Sequence, residues 1–209
     1  AIYVKSIYND KEIAFLIEWD DANQSNPGTT EEGEVIYADA LAIQFPSQIP
    51  ETPASPRPFF LMGNPSLPVN LWLWNSGSNT LKEANAEGVN RKKYQSEKNK
   101  DLKGKVAYTQ GQYKLLVKRD LTTSDKADDV QMEYNKFIPI AFFVWDGHNG
   151  ETESKMAVSS WYYLSLEKKE TGRNVLYSIL AILFVIVAEI IFVKIIRRNV
   201  IKSNHTGNR

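Results

Sequence analysis

The chain has 209 residues, 43% of them hydrophobic and 24% charged, and its 25 cationic and 25 anionic side chains sum to zero. It contains no cysteine and only two histidines. That excludes disulfides, thiolate metal sites, cysteine nucleophiles, Fe–S ligation by this chain, covalent c-type haem and a multi-histidine metal centre. The charge is unevenly spread: Arg173, Lys194, Arg197, Arg198, Lys202 and Arg209 face Glu189 alone, so residues 173–209 carry +5 and residues 1–172 carry −5. An acidic body offers no basic face, so no nucleic-acid partner is expected.

In chain order, residues 12–20 are rich in β-formers and predict a largely buried strand. From Asp20 to Gly33 the composition turns to Asp, Asn, Ser, Pro, Gly and Thr, which predicts a long loop. The adjacent pair Asp20-Asp21 reads as a turn, because neighbours on a strand point to opposite faces. A second strand is predicted from Val35 to Phe45, with Asp39 interrupting its apolar run. The prolines between Pro46 and Pro58 exclude helix and central strand alike. Two strand pieces follow, Phe59–Met62 and Val69–Trp74, around the turn Gly63-Asn64-Pro65. Residues 76–105 are polar and basic and read as a surface excursion, with a short helix near Thr80–Ala86 and solvated lysine runs at 91–93 and 98–105.

Lys105–Thr109 and Gln112–Arg119 flank Gln110-Gly111 and predict a hairpin. Phe137–Trp145 is a dense strand, the sequence Asp146-Gly147-His148-Asn149-Gly150 a turn, and Lys155–Glu167 a last strand. The lone His148 in this turn reads as exposed. Strands separated by turns, with no amphipathic helix, predict an all-β, antiparallel β-sandwich. Residues 175–196 differ in kind: 22 apolar residues of helix rise about 33 Å, enough to cross a hydrocarbon core of about 30 Å. The layout expected is a β-sandwich over 1–172, a single C-terminal transmembrane helix over 173–196 and a basic tail over 197–209. Lysines and arginines are more numerous after the span than before it, which places the tail in the cytoplasm and the sandwich outside. Glu189 within the span has two readings: partial snorkelling beside Lys194, or a polar contact with a partner's transmembrane helix.

No nucleophile constellation, phosphate loop or zinc spacing is present. The residue types able to coordinate or stack are Met62, Trp72, Trp74, Trp145, Lys155, Met156, Trp161, Tyr162 and Tyr163. Met62, between Phe59-Phe60-Leu61 and Gly63-Asn64-Pro65, is either core filler or a thioether offered to a metal. Lys155 opens a strand of buried character; a buried lysine is costly unless neutralised, and coordination to a metal would do that. Two other classes fit the same residues: a haem-free carbohydrate-binding module using exposed tryptophans, and a scaffold subunit with Met62 in its core.

Several segments, taken together, resemble a known family. They are Glu12–Asp21 (EIAFLIEWDD), Asp39–Pro46 (DALAIQFP), Pro58–Trp74 (PFFLMGNPSLPVNLWLW), Trp145-Asp146-Gly147 and Lys155–Leu164 (KMAVSSWYYL). Their order and spacing over about residues 3–167 are similar to the haem b-binding gamma subunit of ethylbenzene dehydrogenase-like molybdoenzymes of the dimethyl sulfoxide reductase family, which include nitrite oxidoreductases. The resemblance implies a β-sandwich holding one haem b, with Met62 and Lys155 as axial ligands and Trp72, Trp74, Trp161 and Tyr162 as dry walls. It also implies a molybdenum catalytic subunit and an Fe–S subunit as partners. Electrons would pass to or from a c-type cytochrome or a quinone-linked carrier. The C-terminal anchor departs from the soluble members and implies a membrane-tethered, periplasmic complex; the segment 76–105 also departs, being longer and more basic.

Overall fold

The computed structural model describes residues 1–96, 101–168 and 172–206; the side chains of Arg173, Asn174 and residues 197–206 lie outside that description. Part of the 98–105 lysine run, and the side chains of Lys169, Arg173, Arg197, Arg198, Lys202 and Arg209 that set the expected orientation, therefore fall outside the described residues. The chain forms two compact units, Ala1–Glu167 and Lys168–Arg209.

The first unit is all-β. Its elements are β1 (Ile2–Tyr8), β2 (Glu12–Asp20), β3 (Gly28–Thr29), β4 (Val35–Ile36), β5 (Ala40–Pro46), β6 (Val69–Asn75), β7 (Thr80–Ala86), β8 (Lys92–Tyr94), β9 (Lys103–Thr109), β10 (Gln112–Asp120), β11 (Phe137–Trp145), β12 (Ala157–Val158) and β13 (Tyr162–Ser165). A four-stranded sheet runs β1-β2-β10-β9. A seven-stranded sheet runs β12-β11-β5-β6-β7-β8, with β13 also on β11. All pairings between these strands are antiparallel.

The sandwich follows from side-chain parity. In β2 and β10 every second residue is buried, so Ile13, Phe15, Ile17 and Trp19 pack beside Tyr113, Leu115 and Val117. Leu41, Ile43 and Phe45 of β5, Trp72 and Trp74 of β6, and Ile138, Ile140 and Phe142 of β11 meet them from the large sheet. The rings interlock, with Phe15–Trp72 and Trp19–Trp74 centroids both 6.0 Å apart. In the hairpin between β9 and β10, Gln110 and Gly111 both take positive φ (51° and 73°), as a two-residue turn matching strand twist requires.

Four expectations are corrected. Thr80–Ala86 is strand β7, not helix: in-register pairing with β6 from Val69↔Ala86 to Asn75↔Thr80 overrides its helix-forming composition. Phe59–Met62 is a turn, closed by Gly63 N–H donating to the Phe59 carbonyl at 2.9 Å. The strand predicted from Val35 to Phe45 is split, because β4 pairs with β3 while β5 joins the large sheet. The strand predicted over Lys155–Glu167 is also interrupted: the Phe142 N–H is taken by the Ser159 hydroxyl (2.9 Å), and the chain regains β11 only at Tyr162. Strand β1 carries no strong alternation and was not anticipated.

The second unit contains α1 (Arg173–Thr206), whose segment Val175–Ile196 has a mean hydropathy of 3.0, long and apolar enough to cross a membrane. The helix continues past Ile196 to Thr206, so the expected tail is largely helical in backbone.

Candidate functional site

Opposite parity places a second apolar layer on the outer face of the large sheet. Ala42 of β5, Val69 and Leu71 of β6, Ala84 and Ala86 of β7, and Phe143 and Trp145 of β11 form one buried cluster with Met62. Leu61, Met156 and Trp161 pack against it. The alanines on β5 and β7 keep this floor shallow, so a covering segment can lie flat on it.

That covering segment is the turn carrying Met62. Met62 is fully buried and adopts a left-handed backbone (φ 60°), which costs a non-glycine residue about 1–2 kcal/mol. Gly63 follows at φ 71°, and a Cβ there would lie 2.7 Å from the Leu67 carbonyl oxygen, so the turn closes only on glycine. Asn64 Oδ1 accepts from the Ser66 and Leu67 amides at 3.0 Å each. The segment is held from both sides, because Gln44 Nε2 donates to the Phe60 carbonyl (3.3 Å) and Trp161 Nε1 to the Pro58 carbonyl (3.3 Å).

Beside this covered half the outer face opens into a cavity of about 390 Å³. Ala40, Leu73 and Trp145, which also contact the Met62 cluster, line it together with Tyr37, Lys82, Lys92, Tyr94, Thr152 and Glu153. The Lys82 and Lys92 amines lie 5.7 and 5.9 Å from the Tyr94 ring centroid. Burial pushes the Lys92 pKa down, with the Glu153 charge opposing. The loop Asp146–Lys155 forms one wall. Its Trp145 end is fixed by indole Nε1 donating to the Glu153 carbonyl at 3.0 Å. Lys155 is exposed, and its Nζ donates to the Asn149 carbonyl of the same loop at 2.7 Å. A second, shallower hollow separates Phe59 and Phe60 from Val158–Trp161.

The structure thus gathers Met62, Trp161 and the neighbour of Lys155, Met156, on one face. It does not bring the other expected walls there. Trp72 and Trp74 have the opposite parity and pack between the sheets, their indoles donating to Glu83 Oε1 and Asn79 Oδ1, both at 3.1 Å. Trp74 also borders the cavity. Tyr162 is 58% exposed. His148 is exposed, as expected.

Asp39, the charge that interrupts the apolar run in sequence, has a structural role. It is fully buried and accepts from the Ser25 amide (2.6 Å), the Tyr113 hydroxyl (2.7 Å) and the Gly147 amide (2.9 Å). A charge inside an apolar run was its signal, since a carboxylate is buried only where donors await it. Asp21 and Asp146 lie beside it, with ligand oxygens of the three within 4.8 Å of one another.

The donor chemistry fits a haem. The outer face holds a thioether kept dry by its own cluster; beside that cluster lies a cavity within the size range of ligand sites, and the Lys155 amine sits on the loop whose residues Glu151, Thr152 and Glu153 line it.

Residues 1–103 match the family model described as ethylbenzene dehydrogenase, a stretch that includes Met62, Trp72 and Trp74 and ends before Lys155, Trp161 and Tyr162. Over that stretch the chain is similar to the ethylbenzene dehydrogenase family. A protein of Haloferax mediterranei named "Putative respiratory nitrate reductase heme subunit ORF7" is 27% identical over 164 residues. The aligned region is 78% of this chain and 55% of that protein, so the chain spans about half the length of this relative.

Proposed function

We propose that this chain is a membrane-anchored b-type cytochrome subunit with Met62 and Lys155 as the axial ligands of one haem b. The observation that carries the reading is the fully buried Met62 thioether, held by a strained turn over an apolar floor that continues into a cavity. A haem with two strong axial ligands transfers electrons and leaves no open position for substrate. The chain's own residues do the rest. The Phe59–Gly63 turn fixes the thioether, the alanine and leucine floor excludes water, and both features favour the reduced, less charged state. Lys155, whose Nζ donates to the Asn149 carbonyl, would hold the iron as the deprotonated amine. Trp161 holds Pro58 and so steadies the turn from the far side.

In this reading the catalytic site is on another chain. Residues 1–172 form an extracytoplasmic, periplasmic domain, residues 173–196 the transmembrane anchor and 197–209 a cytoplasmic tail. The subunit relays electrons between the Fe–S subunit of a molybdenum oxidoreductase and a c-type cytochrome or quinone-linked carrier. The sugar-binding alternative needs exposed indoles, whereas Trp19, Trp72, Trp74 and Trp145 are buried and Trp161 is half-buried.

The test is the absorption spectrum of the purified full chain supplied with haem. A low-spin b-type spectrum is expected, and a chain showing no Soret absorption would end the proposal. Met62→Leu keeps the volume at a cost below about 1.5 kcal/mol, and should retain the circular dichroism of the fold while losing the low-spin spectrum. Lys155→Ala should do the same. An unchanged spectrum in either variant removes that residue as a ligand.

A further inference from the structure

Away from the Met62 face, the inner side of β6 and β7 holds polar side chains that the fold buries without satisfying. Asn70, Glu83 and Asp129 are 0%, 7% and 3% exposed. Glu83 Oε1 accepts from Arg119 and Trp72, but Glu83 Oε2 has no hydrogen-bond partner. Neither do both carboxylate oxygens of Asp129, Asn70 Oδ1 and Gln95 Oε1. All five atoms are oxygens.

Hydrogen bonds tie these residues into one neighbourhood. Asn70 Nδ2 donates to Asn85 Oδ1 and to the Asp128 carbonyl (3.1 Å each), and Gln95 Nε2 donates to that same carbonyl at 2.9 Å. Both amides are therefore oriented by acceptors, and their oxygens are turned the other way. Asp129 follows Asp128 in the chain. The Gln95 N–H donates to the Glu83 carbonyl (2.9 Å); burial raises the Glu83 pKa, the Asp129 charge adds to this, and Arg119 and the Asn70 amide oppose it.

Arg119 does not resolve the imbalance. Its guanidinium lies over Trp72 at 4.8 Å and donates to Glu83, to the Val130 carbonyl and, at 3.4 Å, to the Asp120 carbonyl. No ion pair joins it to Asp129 among the described residues. Among the described residues Glu83 thus has Arg119 as its cation and Asp129 has none. A buried carboxylate without a donor on either oxygen is among the most unfavourable arrangements in a protein interior. A single water offers two hydrogens to five acceptors, and it brings no charge.

We propose that Glu83, Asp129, Asn70 and Gln95 form a buried site for a hard, oxygen-liganded metal cation of the calcium class. Two carboxylates and two carboxamide oxygens are the ligand types such ions take, with water filling the remaining positions. The ion supplies the missing positive charge and fastens the 125–130 turn to strands β6 and β7. This site is independent of the haem reading.

The test uses the full chain, exchanged into calcium and desalted. Elemental analysis should find one calcium per chain, lost after chelation, lost in Asp129→Asn and retained in Asp146→Asn, which alters the other carboxylate cluster. Terbium in place of calcium should luminesce on tryptophan excitation in the native chain and not in Asp129→Asn, since Trp72 touches Glu83. A native chain that holds no calcium and gives no terbium signal overturns the proposal. So does a calcium or terbium signal that survives in Asp129→Asn, or one lost only in Asp146→Asn.

Discussion

Asp39 shows how one residue can organise a site without being its chemistry. Its carboxylate draws together the loop at Ser25, strand β10 through Tyr113 and the turn at Gly147. Neighbouring Asp21 bears the consequence. Burial pushes its pKa up to about 6 from an ordinary 3.8, the Asp39 and Asp146 charges add to this, and the Asn23 amide and His148 oppose it. Between those two values the folded chain holds a proton that the unfolded chain releases, so this group makes stability fall as pH rises from about 4 to about 6, with no further change above. Urea unfolding at pH 4.5 and pH 7 should show the decline. Asp21→Asn should flatten it and unfold at higher urea than the native chain at pH 7. An unaltered slope in the variant would assign the pH dependence elsewhere.

At the scale of elements, parity and pairing decide what composition leaves open. Leu71 and Leu73 face outward with Met62 while Trp72 and Trp74 face inward, although all four belong to one seven-residue strand. The turn before this strand is the element most exposed to a single change. Gly63→Ala adds a Cβ 2.7 Å from the Leu67 carbonyl oxygen at a backbone angle alanine disfavours. A loss of about 1–3 kcal/mol is expected, read as a lower melting temperature. Because Met62 adjoins it, any spectrum that depends on the thioether should weaken in the same variant. A variant as stable as the native chain would show that the turn relaxes without strain.

At the scale of the whole molecule, the sandwich carries its own core between two sheets and a second apolar layer on the outer face of one of them. Unit Ala1–Glu167 has its own buried core, whereas every residue of the 22-residue stretch Val175–Ile196 is exposed. Truncation after Glu167 should therefore yield a domain that unfolds cooperatively and stays in the aqueous phase, while the full chain partitions into detergent or membrane. A truncated chain lacking a cooperative transition would show that the helix stabilises the sandwich.

The sequence alone determined the β-class, most strand positions, the apolar helix and the choice of Met62 as the residue to examine. Each of these depends on local signals: β-former density, turn residues, a continuous apolar run, and the absence of cysteine and of usable histidine. Tertiary structure decided the rest. Which face of β6 meets Met62 depends on the register of β5, β6 and β7, so the split between Trp161 and the pair Trp72–Trp74 could not be read along the chain. The helix-forming residues of Thr80–Ala86 became strand because β6 offered a full ladder. Asp39 stood out in the sequence only as a charge beside an apolar run, and its three donors, like the unsatisfied group around Asp129, emerged only in the fold, since partners and their absence belong to packing.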